Sequence, residues 1–238
     1  MSKDNVFLWG LEQLKISLTK EQIEAFEIYY KMLVEKNKVM NLTAITEWED
    51  VVVKHFLDSL ALVSITSLNE DLSLLDLGTG AGFPGVPLKI TFPNLKIVLL
   101  DSLNKRILFL QEVIETLGMT GITAIHGRAE EFAKKSEFRG SFDLCVSRAV
   151  ANLSTLSEYC LPFVRKGGYF IPYKSNNVIE EVEGAKKAIQ VLGGKLEEVY
   201  SFILPGTDMA RSFVKIKKTM ETPNKYPRGA GKPSKEPL

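Results

Sequence analysis

The segment LLDLGTGAGFPG sets Asp76, Gly78, Gly80 and Gly82 at alternate positions where an apolar run gives way to a helix-forming stretch. Glycine at such a turn adopts backbone conformations closed to other residues and lets the main chain approach a ligand with its amides. In open parallel sheets these turns lie at the carboxyl ends of strands, where ligands bind at the switch in strand order. The next apolar run, KIVLLD, ends in Asp101, about 20 residues on, where a carboxylate can accept hydrogen bonds from ribose hydroxyls. The pattern therefore suits a ligand with a nucleoside moiety. A dinucleotide fingerprint needs a further glycine three residues after the second one, and that position is Phe83.

Other chemistry is limited by supply. His55 and His126 are the only histidines and Cys145 and Cys160 the only cysteines, too few for a zinc site or an iron–sulfur cluster, so no metal site is expected. Both cysteines sit among apolar residues, as a thiol packed as a small hydrophobe does. His55 and Asp58 fall one turn apart on an expected helix, a spacing shared by a catalytic pair and a helix-to-core contact. No catalytic residue is assigned.

The elements that must position these residues follow from the periodicity. Ile23, Phe26, Tyr30, Leu33 and Val34 recur at helical spacing within Thr19 to Lys36, and Thr19 with Gln22 resembles a capping box. A second amphipathic helix is expected from about Glu47 to Ile65. Beyond SLNED, short apolar strands alternate with helices: strands are predicted over 74–77, 96–101, 122–126, 142–147, 168–173, 195–204 and 211–218. The last two are separated by PGTD, too short for a parallel crossover, and must run antiparallel. Past Lys218 four prolines and two glycines argue against regular structure.

The 238 residues are 45% hydrophobic and 25% charged, enough to bury a full core. No apolar run reaches the roughly 18 residues of a membrane span, and the N-terminus MSKDNVFLWGLEQLK does not read as a secretory signal. A cytoplasmic location is expected, where Asn41 and Asn152, which fit the glycosylation pattern, would not be modified. The net charge of +1 hides a basic C-terminal stretch in which Lys225, Arg228, Lys232 and Lys235 are candidate contacts to RNA phosphates. Lys105 and Arg106, which open a helix, are further phosphate candidates.

The D-x-G-x-G-x-G spacing followed by a bulky residue resembles the first motif of class I S-adenosylmethionine-dependent methyltransferases, and an antiparallel final strand agrees with it. Exocyclic amine methylation commonly uses an N/D-P-P-Y/F motif after the fourth strand, where this chain has SRAVA. Pyrimidine C5 methylation uses a cysteine nucleophile, typically after a proline, and neither cysteine follows one. An acceptor that is already nucleophilic remains.

NLTAI at 41–45, HFLDSL at 55–60, DLGTGAGFPGVPL at 76–88, DSLNKRILFL at 101–110, GRAE at 127–130, SRAVANL at 147–153 and RGAGKPSKEPL at 228–238 together resemble the bacterial ribosomal RNA small subunit methyltransferase G family, also called glucose-inhibited division protein B. The resemblance spans almost the whole chain. It implies an α/β fold, a Rossmann-like seven-stranded, mostly parallel sheet with an antiparallel last strand. The expected division is a helical extension at 1–68, the methyltransferase domain at 69–219 and a basic tail at 220–238. It also implies transfer of a methyl group from S-adenosyl-L-methionine to N7 of a guanine in the 530 loop of 16S rRNA, with rRNA or the small subunit as partner and no membrane or obligate protein partner. By motif, Gly78 and Phe83 line the cofactor, Ala129 and Glu130 meet its adenine side, and Arg148 reaches it from the fourth strand. Gly80 belongs to the same turn, and Asp101 is added from the ribose argument above. Arg148 has a second reading as an ion-pair partner of Asp58 or Asp143, and Glu130 as a first-turn helix acid. Two other functions stay open: an S-adenosylmethionine- and RNA-binding ribosome assembly protein, and a small-molecule methyltransferase.

Overall fold

The computed structural model describes residues 3–148, 151–175 and 178–238. Two helices lead the chain, α1 (Lys3–Gln13) and α2 (Lys20–Met40). Thr19 caps α2 in the expected reciprocal box, its hydroxyl taking the Gln22 amide while the Gln22 side chain takes the Thr19 amide at 2.9 Å. Asn41 closes the helix in the left-handed region at φ 48°, a conformation asparagine tolerates. Helix α1 was not foreseen, because only Phe7 and Leu11 of its apolar residues are fully buried while Leu8 and Trp9 face outward.

The single amphipathic helix expected over 47–65 is instead segmented. It runs through α3 (Trp48–Val51), a π-helical stretch (Val52–Leu57), α4 (Asp58–Leu60) and a 3₁₀ turn (Ala61–Ser64). Val51, Val52, Val53, Phe56, Leu57 and Leu60 are all buried, so apolar residues cover most of its circumference and no single face remains to be read by period. The wider π turn changes the helical phase midway, a deviation often found at functional sites.

The rest of the chain alternates β1 (Ser73–Leu77), α5 (Gly85–Thr91), β2 (Lys96–Asp101), α6 (Asn104–Thr116), β3 (Ile122–His126), α7 (Ala129–Phe132), β4 (Phe142–Ser147), α8 (Leu153–Cys160), β5 (Val164–Ser175), α9 (Val178–Val191), β6 (Gly194–Ile203), β7 (Ala210–Lys218) and the short α10 (Lys232–Lys235). The strands form one sheet in the order β3-β2-β1-β4-β5-β7-β6. Pairings among β1 to β5 are parallel, and β7 runs antiparallel to both β5 and β6. The strand order reverses between β1 and β4, which opens a crevice outside their carboxyl ends.

Alternation along the strands divides the core between the two faces. Leu74, Leu99, Leu144 and Ile171 face the N-terminal helices, α5 and α6, whereas Leu75, Leu100, Cys145 and Phe170 face α8 and α9. Both cysteines are buried as free thiols on the second face. Phe7, Phe26, Tyr29 and Leu33 share one apolar cluster with the sheet, so the N-terminal helices are packed into the core. Among the described residues no helix is long and apolar enough to cross a membrane.

The tail corrects an expectation. It is largely irregular but folds back, closes one turn of helix at α10, and anchors through Arg228, whose Nη2 lies 2.6 Å from Oε2 of Glu158 on α8. Arg228 is therefore held by a carboxylate that is only 1% exposed, and the role observed for it is to anchor the tail. Lys225, Lys232 and Lys235 remain exposed. Removing one partner of a buried pair strands the other, so Arg228→Ala should lower unfolding stability by about 3 kcal/mol or more. Urea titration checks this, and the double variant Arg228→Met with Glu158→Gln should recover most of the loss.

Candidate functional site

The turn after β1 is shaped by two carboxylates. Asp76, fully buried, accepts through Oδ2 from the Thr79 hydroxyl at 2.6 Å and from the Gly85 amide at 2.8 Å. Asp101, at the end of the neighbouring strand, accepts the Gly80 amide at 2.9 Å through Oδ2 and the Leu103 amide at 2.9 Å through Oδ1. Gly78 donates to the Leu100 carbonyl at 2.8 Å, and Gly82 and Phe83 donate to Thr79 at 2.9 and 3.0 Å. Gly78, Gly80 and Gly82 all have positive φ, of 72°, 62° and 108°, which makes glycine the unstrained residue there. At Gly82 a Cβ would also lie 2.7 Å from the Tyr29 hydroxyl, whereas at Gly80 it would point into open space.

This differs from the sequence reading in one respect. The amides of Gly78, Gly80, Gly82 and Gly85 do not point at a ligand, because protein acceptors already take them. A pyrophosphate needs such amides free. The turn instead offers bare glycine backbone beside Asp101, in a cleft that carries Asp101 and Glu130 together with Arg106, Arg128 and Arg148.

The crevice is a cleft of about 640 Å³, within the size range of small-molecule sites. Every sequence-predicted site residue lines it: Gly78, Gly80, Phe83, Asp101, Ala129, Glu130 and Arg148. Ala129 and Glu130 open α7, just past the end of β3, and Glu130 accepts the Gly231 amide at 3.1 Å from the returning tail. Thr43, Tyr159, Gly231 and Ser234 also line the cleft and were assigned no role from sequence. Thr43 and the two tail residues lay within resembling motifs, but Tyr159 carried no signal of its own. Ala149 and Val150 of the SRAVANL motif lie outside the described residues.

Arg148 lines the cleft and is also an ion-pair partner of Asp58. Its guanidinium carbon lies 5.1 Å from the Phe83 ring centre, and its Nη1 lies 2.8 Å from Oδ2 of Asp58. Asp143 is not its partner, being held by Ser73 and Arg165. Of the phosphate candidates that open α6, Lys105 Nζ donates to the Met40 carbonyl at 2.9 Å and Arg106 pairs with Asp101 at 3.2 Å.

His55 stacks on Phe83, with ring centres 4.5 Å apart. Its Nδ1 lies 3.2 Å from Arg148 Nη2 and its Nε2 lies 2.9 Å from the Thr43 hydroxyl oxygen. Nδ1 also lies 3.1 Å from the Lys54 carbonyl oxygen, so it faces a donor and an acceptor at once, and the Thr43 hydroxyl can donate to Nε2 or accept from it. Burial, and then the charge of Arg148, push the imidazole pKa down to about 4.

The glycine turn, the acid at the end of β2 and the sheet with its reversed seventh strand define the class I methyltransferase fold. The sequence profile of rRNA small subunit methyltransferase G matches residues 22–212, and the chain belongs to that family. It is 58% identical over its full length to the ribosomal RNA small subunit methyltransferase G of Lachnoclostridium phytofermentans, covering 98% of that protein. It is 51% identical to the corresponding protein of Acetivibrio thermocellus over 96% of this chain and 94% of the other. Among solved structures it resembles M. jannaschii TYW2 in complex with AdoMet, with a TM-score of 0.51 and 16% identity over 63% of this chain and 70% of that one. The Methanococcus jannaschii fibrillarin pre-rRNA processing protein gives a TM-score of 0.51 and 18% identity over 66% and 70%. Both are likenesses of fold.

Burial pushes the Asp76 carboxyl up to about 6 from 3.8, against the opposing hydrogen bonds of Thr79 and Gly85. Between those two values the folded protein binds the proton that the unfolded chain releases, so stability should fall as pH rises from about 4 to 6 and then level off. The shift corresponds to about 3 kcal/mol. Denaturant midpoints across this range should show the slope in the wild type and its loss in Asp76→Asn.

Proposed function

We propose that this protein transfers a methyl group from S-adenosyl-L-methionine to N7 of a guanine in the 530 loop of 16S rRNA, in the cytoplasm. The observation that carries the reading is the turn from Gly78 to Gly85, whose amides are turned inward onto protein acceptors and which, with Asp101, lines a cleft at the strand switch point. Family membership supports small-subunit ribosomal RNA as the substrate, since the relatives are named as ribosomal RNA small subunit methyltransferases. In this reading residues 69–219 carry the transfer site, residues 1–68 pack over it, and residues 220–238 close one wall.

The residues fit such a cofactor. Asp101, 3% exposed at the end of β2, faces the cleft where ribose hydroxyls would donate to it. Ala129 and Glu130 would lie on the adenine side, and Gly78, Gly80 and Phe83 would line the remainder. When bound, the cofactor supplies an electrophilic methyl group on a sulfonium. The chain's own residues bind, orient and exclude water. Guanine N7 is a hydrogen-bond acceptor with a free lone pair at neutral pH, so no side chain needs to remove a proton. His55 agrees with that: both ring nitrogens are engaged within the protein, Nδ1 beside Arg148 and the Lys54 carbonyl and Nε2 beside the Thr43 hydroxyl. Catalysis then rests on alignment and on a site that tolerates moving positive charge.

Gly80→Val should abolish S-adenosylmethionine binding by calorimetry, because a branched side chain would enter the open space at a residue with φ of 62°. Retained affinity in a folded variant would sink the cofactor assignment. Single-turnover methylation should be nearly flat between about pH 6.5 and 8.5, and His55→Ala should slow it far less than the roughly 10²-fold or more expected on removing a general base. Nucleoside mass spectrometry of 16S rRNA from cells with and without the gene identifies the product. N7-methylguanine permits strand cleavage after borohydride and aniline, and a product that resists it overturns the N7 assignment. Deleting residues 221–238 should lower the salt slope of RNA binding by up to about 2 through Lys225, Lys232 and Lys235, at roughly 0.7 per contact. Cofactor affinity should fall as well, because Gly231 and Ser234 line the cleft.

A further inference from the structure

A second cavity, of about 460 Å³, shares His55 and Arg148 with the cofactor cleft. The sheet brings its charged residues to one edge. Arg148 follows β4, Lys174 is the penultimate residue of β5, and Arg211 is the second residue of the antiparallel β7, in register with Ser175. From the opposite side Asp58 enters on α4, which is fastened to the sheet where the Tyr173 hydroxyl donates to the Ser59 carbonyl at 2.7 Å. Asp58 is 5% exposed at its side chain and takes one guanidinium on each oxygen, Arg148 Nη1 at 2.8 Å and Arg211 Nε at 2.8 Å.

The lining holds four cationic side chains, Lys54, Arg148, Lys174 and Arg211, against the carboxylates of Asp58 and Glu181. The carboxylates are engaged: both oxygens of Asp58 accept from arginine, and Oε1 of Glu181 takes Lys174 Nζ at 2.6 Å and the Leu153 amide at 2.6 Å. The arginines are not used up. Each has five N–H donors; Arg148 gives three contacts, to Lys54, Asp58 and His55, and Arg211 uses Nε on Asp58 and one Nη1 contact on Ala210, beside a long approach to the Met209 sulfur. Planar guanidinium donors held in fixed orientation match the paired oxygens of a phosphate.

The geometry points to this cavity as the seat of the phosphodiester that flanks the acceptor guanosine, with Arg211 and Lys174 as direct contacts and Asp58 as the residue that positions both arginines. The inference rests on the RNA methyltransferase reading above. It places the acceptor backbone on one side of Arg148 and the cofactor on the other, so that one residue registers both.

Single-turnover methylation of small ribosomal subunits from a strain lacking the modification tests it, using wild type, Arg211→Gln, Arg211→Lys and Lys174→Gln. The glutamine variants should raise the half-saturating subunit concentration about tenfold or more. Their rate at saturation should stay within about twofold, as loss of uniform binding requires. The salt dependence of the half-saturating concentration should lose about 0.7 of slope per variant, and S-adenosylmethionine affinity by calorimetry should not change. Arg211→Lys keeps the charge and should keep the slope while losing part of the affinity. A purely structural role would lower the melting temperature and leave the salt slope intact, which overturns the proposal. Weakened cofactor binding with unchanged subunit saturation would assign the cavity to the cofactor and overturn it too. If the wild type methylates 16S rRNA and the variants match it, the subsite alone falls; if the wild type does not, the functional reading falls and takes the subsite with it.

Discussion

Two buried carboxylates at the ends of adjacent parallel strands fix the shape of the glycine turn, and most of the cleft inherits its position from them. Asp76 draws Thr79 and the first residue of α5 toward β1, and Asp101 draws Gly80 toward β2. The turn then presents backbone with its donors facing inward. In a dinucleotide site the same kind of turn presents those donors outward to a pyrophosphate. The direction of a few amide groups thus separates two ligand classes that share one sheet topology, and it follows from where the acids sit.

A second constraint comes from outside the sheet. The Tyr29 hydroxyl donates to the Ala81 carbonyl at 2.6 Å, and its ring packs 5.5 Å from that of Phe83. Gln22, after serving the capping box, donates to the Ile90 carbonyl at 2.8 Å at the end of α5. Helix α2 therefore braces both ends of the segment that begins at the glycine turn. On the other flank the tail braces α7 and α8, through Gly231 on Glu130 and Arg228 on Glu158. Elements remote in sequence close the cleft from two directions.

The strands were legible because each is a short apolar run bounded by turn residues, and most of their observed ends coincide with expectation, the others but one differing by one or two residues. Strand β5 is the exception, since it begins at Val164 and carries Arg165 and Lys166 on its exposed start, where charge hides the pattern. The glycine turn and Asp101 were legible because their residue types are dictated by backbone geometry and by ligand chemistry. Less was readable where a role depends on a partner far along the chain. Nothing in the sequence pairs Glu158 with Arg228, or Asp58 with Arg211, and periodicity favoured Tyr30 on α2 although Tyr29 is the fully buried one. The two asparagines that match a glycosylation pattern have a simpler account: Asn41 ends α2, and Asn152 caps α8 by accepting the Thr155 amide at 2.8 Å.

By composition the segment from Gly78 to Gly85 should be the loosest part of the molecule, since glycine loses more freedom on folding than any other residue. Its amides are instead bonded at Gly78, Thr79, Gly80, Gly82, Phe83 and Gly85. The entropy of ordering it is lost when the chain folds, and little is left to lose when a ligand arrives. In amide hydrogen exchange such a turn behaves as part of the core, opening only with the larger unit that contains it. A glycine-rich loop of this kind is a rigid seat, and the motion that admits a ligand belongs to the walls around it.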